Sequence, residues 1–251
     1  MKKNLKNLLL IVLMGLSVVF MGACGDKKSS NKDVITKDVI TNFVEASKGI
    51  KNLKMEREFV AVDDATKNET MKVILENVII KEPFAMKLDM EMMGIKSSMY
   101  VKDGMGYNKN ELTNKWEKEK VSSEQIDTLL SSYLPFGDDF YDALKSNMDK
   151  VNIEKKDKNY VFIVTDTEFL KDIITKEYAS LFWDGTKLNN FTFECVVDEK
   201  TFLPETFNFT INTLKDSDKS VLNVISKYSQ INEIKDIELP DEVKNAEEAE
   251  W

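Results

Sequence analysis

After its first 34 residues the chain shows two hydrophobic periods in succession, first that of a helix and then that of a β-strand. Within 35–48 four apolar residues recur at helical spacing, which predicts one amphipathic helix: Val39, Ile40, Phe43 and Val44. After Gly49 the period becomes two, because apolar residues alternate with charged ones over 53–61. This alternation predicts a β-strand with one wet face.

The period of two continues through most of the remaining chain. Further strands are predicted at 71–80, 84–92, 97–102, 105–108, 160–164, 191–197, 206–211 and 221–229. Residues 71–80 are apolar on one face and partly apolar on the other, which indicates a strand covered on both sides. Helices are predicted to begin at Ser122, where Ser122-x-x-Gln125 matches a capping box, at Gly137-Asp138 and at Thr165. The element order predicts an α+β fold, an antiparallel meander with helices over its apolar face.

The first 24 residues have the layout of a secretory signal. Lysines at positions 2, 3 and 6 precede an apolar block that ends at Phe20, and the small residues Gly22 and Ala23 follow. The apolar block is shorter than the roughly 20 residues that a membrane-spanning helix needs. We therefore expect residues 1–23 to be a signal peptide and not a permanent membrane span.

Cys24 lies at the end of this block. Its position after Met21-Gly22-Ala23 resembles the lipobox of bacterial lipoproteins, in which the thiol is acylated and the chain is cut before the cysteine. The resemblance implies a lipid anchor at Cys24, on the outer face of the cell membrane; a plain signal peptide or an inert cysteine is the alternative. Residues 24–33 are expected to form a flexible tether, because 25–33 hold no apolar side chain. One folded domain over 34–246 and a C-terminal tail over 247–251 complete the predicted organisation.

Charge and rare residues exclude several function classes. With 44 acidic and 35 basic residues the net charge is −9, which disfavours nucleic acid and anionic lipid as electrostatic partners. The chain has no histidine, which excludes the serine triad, the cysteine–histidine dyad and histidine metal sites. We expect no cofactor, no metal and no catalytic residue. Cys195, in an alternating apolar run, is expected to be a small buried hydrophobe and not a reactive thiol.

Three segments resemble uncharacterised lipoproteins of low-GC Gram-positive bacteria: GIKSSMYVKDGMGYNKNELTNKW, VVDEKTFLPETF and IELPDEV. Those proteins in turn resemble the LolA, LolB and LppX-like lipoprotein-carrier superfamily. In that superfamily helices close a strongly curved antiparallel half-barrel over an apolar cavity. The likeness covers Val34 to about Ala246. It implies the same fold here and an apolar ligand, such as an acyl chain or lipid.

Methionines concentrate in one part of the predicted sheet. Seven of the 12 lie between Met71 and Met105. Methionine is flexible and polarizable, so surfaces that accept apolar partners of varied shape use it, although it also fills ordinary cores. Plain core packing and a thioether copper site are therefore alternatives to a ligand cavity. The residues expected to line that cavity are Met55, Phe84, Met86, Leu88, Met90, Met92, Phe207 and Phe209.

Arg57, the only arginine, falls on the apolar face of the first predicted strand. A guanidinium group at such a place must be paired. Carriers of the resembled superfamily have an arginine that contacts the helical lid from inside the sheet, so a buried or lid-contacting charge is one interpretation of Arg57. An edge position, or a snorkelled charge paired with a carboxylate, is the other.

These patterns together predict a non-enzymatic, monomeric, extracytoplasmic lipoprotein that its lipid holds at the membrane. Its LolA-like half-barrel is expected to bind or carry an apolar ligand. One alternative is a cell-envelope interaction module whose sheet is filled by its own side chains, and another is hydrolysis by paired carboxylates. An apolar pocket under the helices favours the carrier, whereas a filled core with an exposed apolar patch favours the interaction module.

Overall fold

The computed structural model describes residues 29–109, 114–133, 137–164, 166, 168–173, 187–215 and 218–249. By its contacts the chain divides into Met1–Lys32 and a second compact unit, Asp33–Trp251. Within the described ranges no helix is long and apolar enough to cross a membrane. The expected signal peptide, Cys24 and residues 25–28 of the expected tether lie outside these ranges.

The described residues contain one sheet of twelve strands. The strands are β1 Asn52–Asp63, β2 Glu69–Ile80, β3 Ala85–Met92, β4 Ile95–Lys102, β5 Met105–Lys109, β6 Trp116–Lys120, β7 Asn152–Lys156, β8 Asn159–Val164, β9 Lys187–Asp198, β10 Pro204–Lys215, β11 Asp218–Ser229 and β12 Glu247–Glu248. Their order is β12-β6-β5-β4-β3-β2-β1-β11-β10-β9-β8-β7. Neighbouring strands are antiparallel except β12 and β6, which are parallel.

The sheet is curved and does not close, and β7 and β12 form its edges. The helices with both ends in the described ranges are α1 Ser29–Lys48, α2 Ser123–Tyr133, α3 Asp138–Ser146 and α4 Asp241–Lys244, and residues 171–173 are helical as well. Short 3-10 turns occupy Met148–Lys150 and Glu168–Leu170. The predicted fold class, α+β with an open antiparallel sheet and helices over its apolar face, is confirmed.

The first helix begins earlier than its apolar stripe predicts. α1 starts at Ser29 and not near Ile35, so residues 29–33 of the expected tether are helical. These five positions are polar, and hydrophobic periodicity therefore gives no sign of them. A helix that has already formed gains one backbone hydrogen bond for each residue added to it. The predicted end at Lys48 is confirmed.

The start of α2 is fixed by the predicted capping box. The backbone N–H of Ser122 donates to Gln125 Oε1 at 2.8 Å, and the backbone N–H of Gln125 donates to Ser122 Oγ at 3.2 Å. Two backbone donors that a helix start would leave unpaired are thus satisfied. α3 begins at Asp138, as predicted. The start predicted at Thr165 lies outside the described ranges.

One face of the sheet, here called the inner face, packs against α1 and α3. Seven phenylalanines with at most 2% exposure lie in this core: Phe43, Phe140, Phe162, Phe191, Phe193, Phe207 and Phe209. The ring of Phe43 lies edge-on to Phe162 at 5.2 Å between centroids, and Phe140 lies edge-on to Phe193 at 5.6 Å. Aromatic pairs favour this geometry. The part of the inner face formed by β8 to β11 and β1 is therefore filled by the protein's own side chains.

The C-terminal segment covers part of the opposite, outer face. It brings Ile237, Val243 and Ala246 into one buried cluster with Ile80, Ala85, Tyr100 and Trp116. Lys102 Nζ donates to Asp236 Oδ1 and to the carbonyl oxygen of Ile237, both at 2.8 Å. The end of β2 at Val78 and Ile80 is thus covered on both sides, as its sequence predicts. Glu247 and Glu248, placed by prediction in a tail, pair with β6 and extend the sheet.

Cys195 is fully buried on the inner face of β9, and burial is the larger cause that raises the pKa of its thiol well above the ordinary value. Native protein should therefore not react with iodoacetamide at Cys195 at neutral pH, whereas urea-unfolded protein should react completely. Mass spectrometry of the peptide that contains Cys195 measures this, with Cys195→Ala as the control. Rapid alkylation of the native protein would show that the thiol is accessible.

Candidate functional site

A row of apolar side chains follows β3 on the inner face. Asn77 of β2 lies opposite Met55 on β1 and opposite Leu88 on β3, so all three share one face. The same register places Met86, Met90 and Met92 on this face. Met99 of β4 joins them, because it lies opposite Leu88. We call this row the methionine face, and its members are Met86, Leu88, Met90, Met92 and Met99.

The methionine face is covered at one end and open at the other. Met86 is fully buried in a small cluster with Ile79 and Val101, against which Leu129 and Leu130 of α2 pack. Leu88 is half-buried. Farther along β3, Met90 is 37% exposed and Met92 is 41% exposed. Apolar side chains on a core-facing surface therefore become accessible toward the turn between β3 and β4.

That turn is itself apolar and accessible. Met93 and Gly94 have φ of 53° and 82°, the pair of left-handed conformations that a two-residue type I′ hairpin requires. Met93 is 83% exposed, and Ile95, opposite Met92, is 68% exposed. The methionine face thus ends in an exposed hydrophobic hairpin tip. Contiguous exposed apolar surface of this kind marks binding surfaces.

The other predicted lining residues lie in covered parts of the inner face. Met55, Phe207 and Phe209 have at most 2% exposure within the core under α1 and α3. Phe84 is half-buried and packs on the cluster around Met86. The predicted lining residues that lie in strands share the inner face, but among them only Met90 and Met92 are exposed. A role for the buried residues in ligand binding stays a prediction.

Arg57 is buried in the middle of the sheet, because β1 lies between β2 and β11. Its Nε donates to Ser226 Oγ at 2.8 Å, and its guanidinium carbon lies 6.0 Å from the centre of the Phe59 ring. Arg57 and Ser226 also hydrogen bond with the Tyr228 hydroxyl. Burial raises the pKa of Tyr228, and the charge of Arg57 opposes that rise. A positively charged, hydrogen-bonded cluster therefore lies within the apolar inner face.

Asn77 is the least expected residue of the inner face. Its side chain is fully buried, and neither Nδ2 nor Oδ1 has a hydrogen-bond partner within the described residues. A buried polar group without a partner costs about 1–3 kcal/mol, so such groups call for an explanation. Sequence reasoning missed Asn77, although the pattern holds the indication: an amide stands between Leu75 and Ile79 on one face of a strand.

A depression of about 260 Å³ lies beside the C-terminal segment. Its lining consists of Lys109, Asn114, Lys115, Trp116, Glu242, Asn245 and Glu247. Basic and acidic groups are mixed there, and Lys115 Nζ donates to Glu247 Oε1 at 2.8 Å, so the lining favours neither anionic nor cationic ligands.

Within the described ranges no group of three Cys, Asp or Glu side chains could hold a metal ion.

A family model matches residues 35–248, which include the methionine face, the Arg57 cluster and the C-terminal segment. The model is that of a family of unknown function, DUF6612. The chain belongs to this family. The predicted membership of an uncharacterised family is thereby confirmed. A comparison with curated proteins gives no match.

Several solved structures are similar to this DUF6612 chain. The lipoprotein LppX of Mycobacterium tuberculosis is 10% identical, with a TM-score of 0.46 over 82% of this chain and 100% of LppX. LprF of Mycobacterium bovis is also 10% identical, with a TM-score of 0.46 over 84% and 98%. A LolA superfamily protein of Nitrosomonas europaea is 10% identical, with a TM-score of 0.24 over 83% and 96%. At this identity and TM-score the similarity assigns no ligand and no activity to the chain.

Proposed function

We propose that this DUF6612 protein is a non-enzymatic carrier that binds an apolar ligand, such as an acyl chain, on the methionine face. One observation carries the proposal: Met90 and Met92 point to the core side of the sheet and yet are 37% and 41% exposed. An apolar sheet face is stable only when something covers it. A bound hydrocarbon would give these side chains the apolar cover that the neighbouring part of the inner face receives from helices.

The dimensions and chemistry of the methionine face suit a flexible chain. From Met86 to Met92 a strand extends about 20 Å at roughly 3.3 Å per residue, which is comparable to an extended acyl chain. Unbranched thioether side chains adapt to apolar partners of different shape. α2 bounds the face near Met86, and the hairpin tip at Met93 leaves the other end accessible. The ligand would therefore enter at the tip and lie along β3.

We further propose that the carrier acts as an extracytoplasmic monomer, held at the membrane by a lipid on Cys24. The support for this part is the sequence of residues 1–24, with its lysines, its short apolar block and the lipobox-like Met21-Gly22-Ala23-Cys24. An acyl anchor contributes about 0.8 kcal/mol for each buried methylene and replaces a spanning helix as the means of attachment. No reaction is assigned to the protein.

A second candidate function is a cell-envelope interaction module. The filled aromatic core around Phe43, Phe140 and Phe207 favours it, because that part of the inner face holds side chains at close contact. In this case the exposed residues Met93 and Ile95 would dock on a protein. The two functions differ in whether a free acyl probe binds to the methionine face.

Met90→Trp tests the carrier function. Met90 is part-exposed, so an indole there should alter the stability by no more than about 1–3 kcal/mol while it fills the ligand's place. The affinity of the full chain for a fluorescent fatty-acid analogue should fall at least tenfold. Ile225→Trp is the matched control, because Ile225 is 39% exposed but points to the outer face. If the parent binds no probe, or if Met90→Trp binds it unchanged, the interaction module replaces the carrier.

A further inference from the structure

Asn77 is placed where a ligand on the methionine face would reach. It lies opposite Leu88, a half-buried member of that face, and it is a diagonal neighbour of Met90 on the adjacent strand. Diagonal neighbours in an antiparallel pair are about 7–8 Å apart, within reach of long side chains. Its amide donors and acceptor have no partner in the described part of the protein. An amide in this state is ready to bind a polar group that arrives with the ligand.

The Arg57 cluster gives this position a second polar neighbour. Arg57 lies opposite Leu75, which is two residues from Asn77 on the same face of β2. Ser226 lies opposite Arg57 on β11, so the polar groups span three adjacent strands in the centre of the sheet. The rest of the surrounding inner face is apolar. Asn77 therefore stands at the border between a charged cluster and the methionine face.

On the basis of the proposed carrier function, we infer that Asn77 binds the polar head of the ligand while the acyl chain runs along the methionine face to the hairpin tip. An asparagine side chain donates from Nδ2 and accepts at Oδ1. The complementary head offers a carbonyl oxygen and a hydroxyl group. A monoacylglycerol offers both groups, and a fatty acid offers at least a carboxyl oxygen to Nδ2. The positive charge of Arg57 disfavours a cationic head at the same place.

The ligand thus binds with its head inside the protein and the end of its acyl chain near the tip. Side-chain exposure along β3 supports this direction, because it rises from 0% at Met86 to 41% at Met92. Leu88 and Met90 separate Asn77 from the open end. The flexible Met90 side chain can move aside as the head passes.

Photo-crosslinking of the full chain in membranes tests the inference. Three diazirine probes of equal chain length are compared: a fatty acid, a monoacylglycerol and an alkane without a head. In the parent protein the two probes with heads should label peptides of β3 about tenfold more than the alkane does. Asn77→Leu should lower their labelling to the alkane level, and the alkane labelling should be unchanged. Asn212→Leu is the control, because Asn212 lies on the outer face and its Nδ2 is bonded to Asn190 Oδ1 at 2.6 Å.

Thermal unfolding of Asn77→Leu separates binding from folding. Because the variant replaces an unpartnered buried amide by an apolar group of similar size, its melting temperature should equal or exceed that of the parent. If Asn77→Leu lowers the labelling by only one of the two probes with heads, that probe identifies the head as a carboxylic acid or as a glycerol ester. Equal labelling of the parent by all three probes would overturn the head site and leave the carrier standing. Absence of labelling by every probe would overturn the carrier and the head site together.

Discussion

Phe207→Ala should destabilise the protein by about 3–5 kcal/mol, whereas Met90→Ala should cost on the order of 1 kcal/mol. Phe207 is 1% exposed, so its removal leaves a cavity that rigid neighbours cannot fill. Among the described residues, four aromatic rings have their centres within 6.4 Å of its ring centre: Phe43, Phe140, Phe193 and Tyr228. Met90 shares the same sheet face but is 37% exposed, and it already lacks protein contacts on one side.

Urea unfolding of both variants and the parent measures the difference. Because each change alters only a small part of the surface that unfolding exposes, the slope of the unfolding free energy against urea should remain close to that of the parent. Similar large losses in both variants would mean that Met90 packs as tightly as Phe207. The open methionine face, and with it the carrier function, would then be wrong.

Cys24→Ser should abolish lipid attachment completely. A thiolate is the nucleophile that takes up the lipid, and a serine hydroxyl at the same position does not ionise at neutral pH. Cells that express the variant should accumulate full-length precursor, and labelled fatty acid should be absent from the protein. The uncleaved precursor keeps the apolar block that ends at Phe20, so acylation, and not membrane association, is the property to measure.

Cys195→Ser is the matched control for this experiment, since Cys195, the second cysteine of the chain, is buried on β9. Its labelling by fatty acid should equal that of the parent. Persistent labelling of Cys24→Ser would show that the lipid is attached elsewhere, and the proposed anchor would have to be abandoned.

Local sequence information accounts for the parts of the fold that depend on neighbours along the chain. The capping box of Ser122 and Gln125 forms both of its hydrogen bonds, because each involves residues three positions apart. The strands of alternating residues lie where the period of two predicts them. The shared inward face of Met55 and Met86 follows from the same alternation once β1, β2 and β3 pair in order.

The missed features depend on contacts that are distant in sequence. The apolar second face of β2 predicts a cover, but it does not indicate that Ile237 and Val243 provide it. The predicted lining does not distinguish the buried Phe207 from the exposed Met90, because alternation gives the face of a side chain and not what covers it. The site at Asn77 is defined by side-chain atoms that have no hydrogen-bond partner in the described part of the chain. The sequence does not show this, because it does not show which residues of β1 and β3 lie beside Asn77.

The position of β1 has a consequence for how the chain folds. β1 to β6 follow one another across one half of the sheet, and β7 to β11 follow one another across the other half. Each half can assemble from local hairpins on its own. The join between them is the pairing of β1 with β11, in which the Arg57 and Ser226 side chains bond across a separation of 169 residues. Closing so long a loop is entropically costly and slow. The inner face therefore stays divided, with half-sheet edges unpaired, until β11 is available to pair with β1.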